Sequence, residues 1–276
     1  MPSNQAIHTM KILLNYDYSV YPFTTASYIE MAAKKMPGVE VYHLGEIALA
    51  DVDLIINIMP FDAIVFHDGV PSCFWEIDNH MIQGKMTFYY SKVDKIYVGQ
   101  RHFIDLYPKG KTDVLPMACD PELHTRLGYE PGEYDIGFIG NASYPDRRTL
   151  LEQLSLKYKV LWTNSEPGIP YSQALSNCKM IFNRSLKHDV NMRFFEAMAI
   201  GRLLVTDDLE EQREYAIPGL HFVQYKDWKE LDSQVHYYLD HEFMRETIAK
   251  TGRKHVRENH TYAHRLKKIL IDFKLM

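Results

Sequence analysis

The first half of the chain is marked by short, almost unbroken apolar runs. Residues 10–17 (MKILLNYD), 39–44 (VEVYHL), 52–59 (VDLIINIM), 61–69 (FDAIVFHDG) and 95–100 (KIYVGQ) are rich in β-branched and large apolar side chains, the signature of strands buried on both faces of a parallel sheet. Between the first two lies TTASYIEMAAKKMPG, residues 24–38. Its leading threonines, helix formers and closing Pro-Gly predict a helix with a start and a stop, so the chain opens as strand–helix–strand.

The stretch CDPELHTRLGYEPGEYD, residues 119–135, carries two prolines and two glycines and reads as a linker. After it the alternation restarts. Strands are predicted over 134–140, 159–163, 179–185, 202–208 and 220–225, and helices over 145–158, 171–178, up to about residue 200, over 227–240 and over 242–259. Strands alternating with helices in both halves imply two doubly wound α/β units. In such sheets ligands bind beyond the carboxyl ends of the strands, where helix N-termini attract anions.

The segment after the third of these strands holds the most informative chemistry. In DVNMRFFEAMAIGRLLVTDD, residues 189–208, Asn191 can cap a helix that Gly201 ends and a buried strand follows. Met192, Phe195, Met198 and Ala199 fall on the face turned to the sheet, while Arg193 and Glu196 share another face at i and i+3. Spacing alone allows an ordinary exposed ion pair.

With 276 residues, 46% of them hydrophobic and 24% charged, the chain has material for two cores. Its formal charge of −5 argues against a surface built wholly to trap nucleic acid. Cys73, Cys119 and Cys178 are scattered and lack metal-ligand spacing, which suits reduced thiols. The N-terminus has no signal-peptide core and no apolar run approaches membrane-spanning length, so a cytoplasmic protein is expected.

Three stretches, VNMRFFEAMAIGRLLVTDD, YDIGFIGN and HTYAHRLKKIL, together with the join LPMACDPELH, resemble the donor-binding half of family-1/family-4-type glycosyltransferases of the GT-B class, and in particular their CgeB-like (spore-maturation) branch. The first half is similar mainly in layout, with WEIDNH resembling an Asp-x-His element. The resemblance implies an α/β GT-B fold: two Rossmann-like parallel-sheet domains facing a cleft, residues 1–125 on the acceptor side and 126–258 on the nucleotide-sugar side. A C-terminal helix, 259–276, is expected to cross back to the first domain.

The implied activity is transfer of a sugar from a nucleoside-diphosphate sugar, with a UDP-sugar as the donor, to a hydroxyl acceptor, without metal or other cofactor. Glu196 matches the glutamate that holds the ribose. Arg193 either reaches the diphosphate or braces Glu196. Gly140, Asn141, Arg147 and Arg148 follow the first strand of the donor half, where a diphosphate needs close backbone approach and cationic donors. The related retaining enzymes carry Glu-x7-Glu, and His188 stands at the first of those positions. It can bond a sugar hydroxyl or a diphosphate oxygen, while Asp189 can replace the missing carboxylate. The retaining or inverting outcome stays open.

In the first half, His67, Asp68, Glu76, Asp78 and His80 fall within FHDGVPSCFWEIDNHM, and Asp78 or His80 is the candidate base or acceptor-orienting group. Asp207-Asp208 reads as a loop or helix cap, not a metal motif. A nucleotide-sugar epimerase of the same layout and a catalytically silent nucleotide-sugar binder are the alternatives. A base in DNA is a conceivable acceptor, against which the net negative charge weighs.

Overall fold

Strands form where the apolar runs lie. In the computed structural model, which describes residues 9–16, 23–59, 63–82, 87–128, 132–164 and 167–276, the first half comprises β1 (Met10–Asn15), α1 (Thr25–Lys34), β2 (Val39–Tyr42), β3 (Leu54–Ile58), β4 (Ser72–Glu76), α2 (Asn79–Ile82), α3 (Thr87–Tyr90), β5 (Lys95–Val98) and β6 (Thr112–Val114). The strands make one parallel sheet in the order β2-β1-β3-β4-β5-β6. Parts of three sequence readings, at 17, 61–62 and 129–131, lie outside the described residues.

One expected strand is replaced by its neighbour. Residues 63–69 run as irregular chain, and the ladder continues with β4, all of whose residues are buried. The reason is local. The buried side chain of Asn57 in β3 donates to the Val65 carbonyl (2.9 Å) and accepts from the Val65 amide (2.8 Å), taking the backbone groups that a ladder would need. Gly69 and Pro71 then break the extended run before Ser72.

The second half contains β7 (Tyr134–Ile139), α4 (Pro145–Ser155), β8 (Val160–Thr163), α5 (Ile169–Ser176), β9 (Cys178–Asn183), α6 (Met192–Ile200), β10 (Leu203–Asp207), α7 (Gln212–Tyr215), β11 (Val223–Tyr225), α8 (Trp228–Asp240), α9 (Glu242–Asn259) and α10 (Tyr262–Asp272). Its parallel sheet has the order β11-β10-β9-β7-β8. The chain runs outward from β7 to β8 and then back across β7 to β9. That reversal opens a crevice at the carboxyl ends of β7 and β9. Beneath it the core stacks Phe138, Phe182 and Tyr225 with Leu151, Leu154 and Val205.

Two compact units result, one ending at Pro116 and regaining Tyr262–Met276, the other Met117–Thr261. The resemblance had implied boundaries at 125/126 and 258/259. The segment read as a linker is built into the second unit, because Ser172 Oγ donates to the Leu123 carbonyl (2.6 Å) and Ser176 Oγ accepts from the Leu127 amide (3.0 Å). The C-terminal helix α10 does return to the first unit. There Tyr262 packs on Tyr28, with ring centroids 5.1 Å apart, and the Tyr97 hydroxyl donates to Asp272 at 2.8 Å. Among the described residues no helix is long and apolar enough to cross a membrane.

Candidate functional site

At the reversal point, β9 carries its apolar run as far as Phe182 and then ends on Asn183, a fully buried polar residue. A buried amide must be bonded on all sides. Asn183 Oδ1 accepts from Arg193 Nη1 (3.0 Å) and Asn191 Nδ2 (3.4 Å), and its Nδ2 donates to Thr206 Oγ1 (3.0 Å). Arg193 also donates through Nη2 to the Ile139 carbonyl (2.6 Å) and lies 4.5 Å above the Phe138 ring. Gly140, at φ 140°, is glycine for a reason the sequence did not suggest, since a Cβ there would collide with Arg193 Nη2.

A second guanidinium stands close by. Arg147, 5% exposed, donates to the Arg184 carbonyl (2.6 and 3.1 Å) and to the Asn141 carbonyl (2.7 Å). Burial and the like charge of Arg193 lower its pKa to about 10, so it remains a cation at neutral pH. Asp207 ties down the same loop, accepting from the Ser185 amide (2.7 Å) and approaching Arg184 Nη1 (3.5 Å). It is a strand-end clamp rather than a helix cap. Around this cluster Ser185 Oγ, Asn191 Oδ1 and Arg193 Nε are shielded from solvent and have no hydrogen-bond partner among the described residues. Such groups are costly to bury unless something polar meets them.

Glu196, on α6, is 6% exposed. Its Oε1 lies 3.4 Å from His124 Nε2, and the Tyr171 hydroxyl packs against both Glu196 and Arg193. Burial, then the Glu196 charge, push the Tyr171 phenol well above its ordinary range. An exposed Arg193–Glu196 helical pair is therefore excluded. The helix is also more enclosed than its periodicity predicts. Phe194 and Ala197, which the spacing left unassigned, are buried as well, and α9 packs against α6. Met192 is only partly buried. Gly201 closes the helix in the left-handed conformation, φ 81°, donating to the Met198 carbonyl.

The remaining sequence candidates sit around this core or apart from it. Asn191 occupies the N-cap position, but its side chain turns to Asn183 instead of capping. Asn141 accepts from the Ser143 amide (2.8 Å), and exposed Arg148 pairs with Glu152 (2.9 Å). With Gly140 and Trp162 they line an open cavity of about 460 Å³. His188 is exposed at φ 65°, following Lys187 at φ 46°, whereas Asp189 is buried. Two successive left-handed non-glycine residues mark a strained turn.

In the first unit, Asp78 and His80 follow β4. Asp78 is exposed, yet the atoms crowding its carboxyl push it above the ordinary aspartate value, an effect His80 opposes. His80 is 6% exposed. His67 and Asp68 precede β4 and line another cavity, of about 450 Å³, with Lys92 and Asp94, so the acidic-histidine stretch does not form one cluster. Sequence reasoning missed Asn183, His124, Tyr171, Ser185 and the clamp role of Asp207. The one available signal was a polar residue, Asn183, breaking an apolar run at a strand end.

Residues 128–271 match a family described as glycosyl transferase-like. No curated protein matches the sequence. Among solved structures, Anabaena HepE in complex with UDP and glucose aligns over 97% of this chain and 100% of its own, at 12% identity and a TM-score of 0.66. A glycosyltransferase from Rickettsia africae ESF-5 aligns over 96% and 98%, at 11% identity and 0.63. T4 phage BGT in complex with UDP and Mn2+ aligns over 96% and 100%, at 12% identity and 0.66. At these identities the likeness shows the fold, which is GT-B, with two parallel-sheet α/β domains and a helical C-terminus.

Proposed function

Because the chain belongs to the glycosyl transferase-like family and is a glycosyltransferase, we propose that it takes its sugar from a UDP-sugar held at the carboxyl edge of the second sheet. The observation that carries this reading is the set of buried polar atoms without partners, Ser185 Oγ, Asn191 Oδ1 and Arg193 Nε, beside two mutually repelling guanidiniums. A diphosphate supplies the negative charge and the acceptor oxygens that the guanidiniums, Arg193 Nε–H and the Ser185 hydroxyl call for, while Asn191 Oδ1, itself an acceptor, takes a hydroxyl of the donor. Glu196 takes the ribose hydroxyls. HepE and BGT, which share the fold, are each recorded with UDP.

In the proposed reaction the bond between the anomeric carbon and the diphosphate oxygen breaks, and the acceptor hydroxyl oxygen bonds to that carbon. Arg193 and Arg147 meet the charge growing on the departing diphosphate, so no metal enters the step. The acceptor's proton passes to Asp78 or His80, and the crowding that raises the Asp78 carboxyl above the ordinary aspartate value makes it a stronger base than a solvated aspartate. His188, on its strained turn, contacts the donor sugar.

Incubation with a panel of nucleotide sugars, with and without acceptor pools and with EDTA or Mn2+, tests the reading. UDP release that requires acceptor and survives EDTA is expected, and Glu196→Ala should abolish it at subsaturating donor. Conversion without acceptor would identify an epimerase, and thermal stabilisation without turnover a binder.

A further inference from the structure

A carboxylate on a long side chain has three torsions to settle before it can accept from two ribose hydroxyls, and ordering them costs binding free energy. In this protein the carboxylate of Glu196 is already fixed from behind. The fixing group is His124, 1% exposed, in the turn read from sequence as linker.

That turn is built stepwise. Asp120 Oδ1 accepts from the amides of Glu122 (2.9 Å) and Leu123 (3.0 Å), closing a tight loop that brings His124 round. The Asp120 amide then donates to His124 Nδ1 at 3.0 Å. A nitrogen that accepts a hydrogen bond carries no proton, so the neutral ring holds its proton on Nε2. Nε2 is the atom that faces Glu196 Oε1 at 3.4 Å. Tyr171 stands edge-on to the imidazole, with centroids 6.1 Å apart and planes at 80°.

We propose that His124 is the positioning residue for the ribose-binding carboxylate: the backbone amide of Asp120 sets its tautomer, and its Nε2–H aims Glu196 at the ribose hydroxyls. The proposal rests on the reading of Glu196 as the ribose ligand. His124 itself touches no substrate. Its role is to make the preference for a ribonucleotide an inherited property of the turn at 120–124.

Two isosteric substitutions separate the two ends of the imidazole. His124→Asn places an amide oxygen where Nδ1 accepts from Asp120 but has nothing to reach Glu196. His124→Gln places an amide nitrogen near Nε2 and gives up the Asp120 bond. Calorimetric titration with UDP and with 2′,3′-dideoxy-UDP, which lacks both hydroxyls that Glu196 accepts from, reads the effect. The unaltered protein should prefer UDP by roughly tenfold or more, at least the worth of one hydrogen bond to a charged group. His124→Asn should weaken UDP by roughly tenfold and leave 2′,3′-dideoxy-UDP within about twofold, so that most of the preference is lost. His124→Gln should keep most of it. A merely structural role predicts that both ligands weaken together, and an unchanged UDP preference in His124→Asn would overturn the proposal. Should the unaltered protein bind UDP without preferring it over the dideoxy form, the ribose reading of Glu196 fails first and takes the proposal with it.

Discussion

Two asparagines end up fully buried at the carboxyl edges of the two sheets, and they are used differently. Asn79, just past β4, accepts from the amides of Gly99 (2.8 Å) and Gln100 (3.3 Å) and donates to the Tyr107 hydroxyl (2.6 Å). Its capacity goes to backbone and to a core tyrosine, locking the turn from which Asp78 and His80 emerge. Asn183, at the end of β9, accepts instead from Arg193 and Asn191, side chains that each keep a further buried polar atom without a partner. At the first edge Asn79 is spent within the protein, although Glu76 Oε1, at the end of β4, is also buried without a partner among the described residues. At the second edge the unpartnered atoms sit on the side chains that Asn183 holds, together with two guanidiniums, which leaves capacity for a ligand.

That contrast can be broken experimentally. The largest effect is expected from Gly140→Ala, whose Cβ would displace Arg193 from Ile139 and Asn183. UDP affinity should fall on the order of tenfold to a hundredfold, since charged hydrogen bonds are worth about 1.5–3 kcal/mol. Calorimetry checks it. An Arg193 that tolerates the methyl without loss of binding removes the reason given for the glycine.

Asn79→Ala should act oppositely. It strands two buried amides and a phenol, costing about 2 kcal/mol of stability, seen in denaturant unfolding, while UDP affinity stays within about twofold. A matching loss of affinity would erase the distinction between the edges.

The smallest effect belongs to Glu76→Gln. Glu76 is fully buried and accepts from the Tyr90 hydroxyl (3.1 Å); burial first, and the Asp78 charge as well, raise its pKa. A raised carboxyl favours the folded state in its protonated form, so this contribution is complete at low pH and is lost as pH rises through the folded value. The glutamine variant should therefore melt above the unaltered protein at pH 8, and the gap should close toward the ordinary carboxylate range. A gap that does not change with pH contradicts the assignment.

Much of this was legible beforehand. Continuous apolar runs placed β1, β3, β5 and all five strands of the second sheet, and the Arg193–Glu196 helix with its terminal glycine lies where its spacing put it. What stayed hidden depended on long-range bonds. The strand expected at 61–69 gave way to β4 because Asn57 captures Val65, which no local propensity records. His124 looked like a linker residue because its partner Glu196 is 72 positions away. Arg147 read as a cationic donor for the diphosphate, but its anchoring on the Arg184 and Asn141 carbonyls could not be read, since only the folded loop brings them to it.

The central claim, that Glu196 is a ribose ligand rather than a buried structural acid, is tested most directly by titrating UDP into the unaltered protein and into Glu196→Gln. The amide fills the same space as the carboxylate but accepts far less strongly from ribose hydroxyls. The account predicts saturable binding to the unaltered protein and a loss of roughly tenfold or more in the variant, with the melting temperature little changed. Equal affinity in both proteins would contradict it.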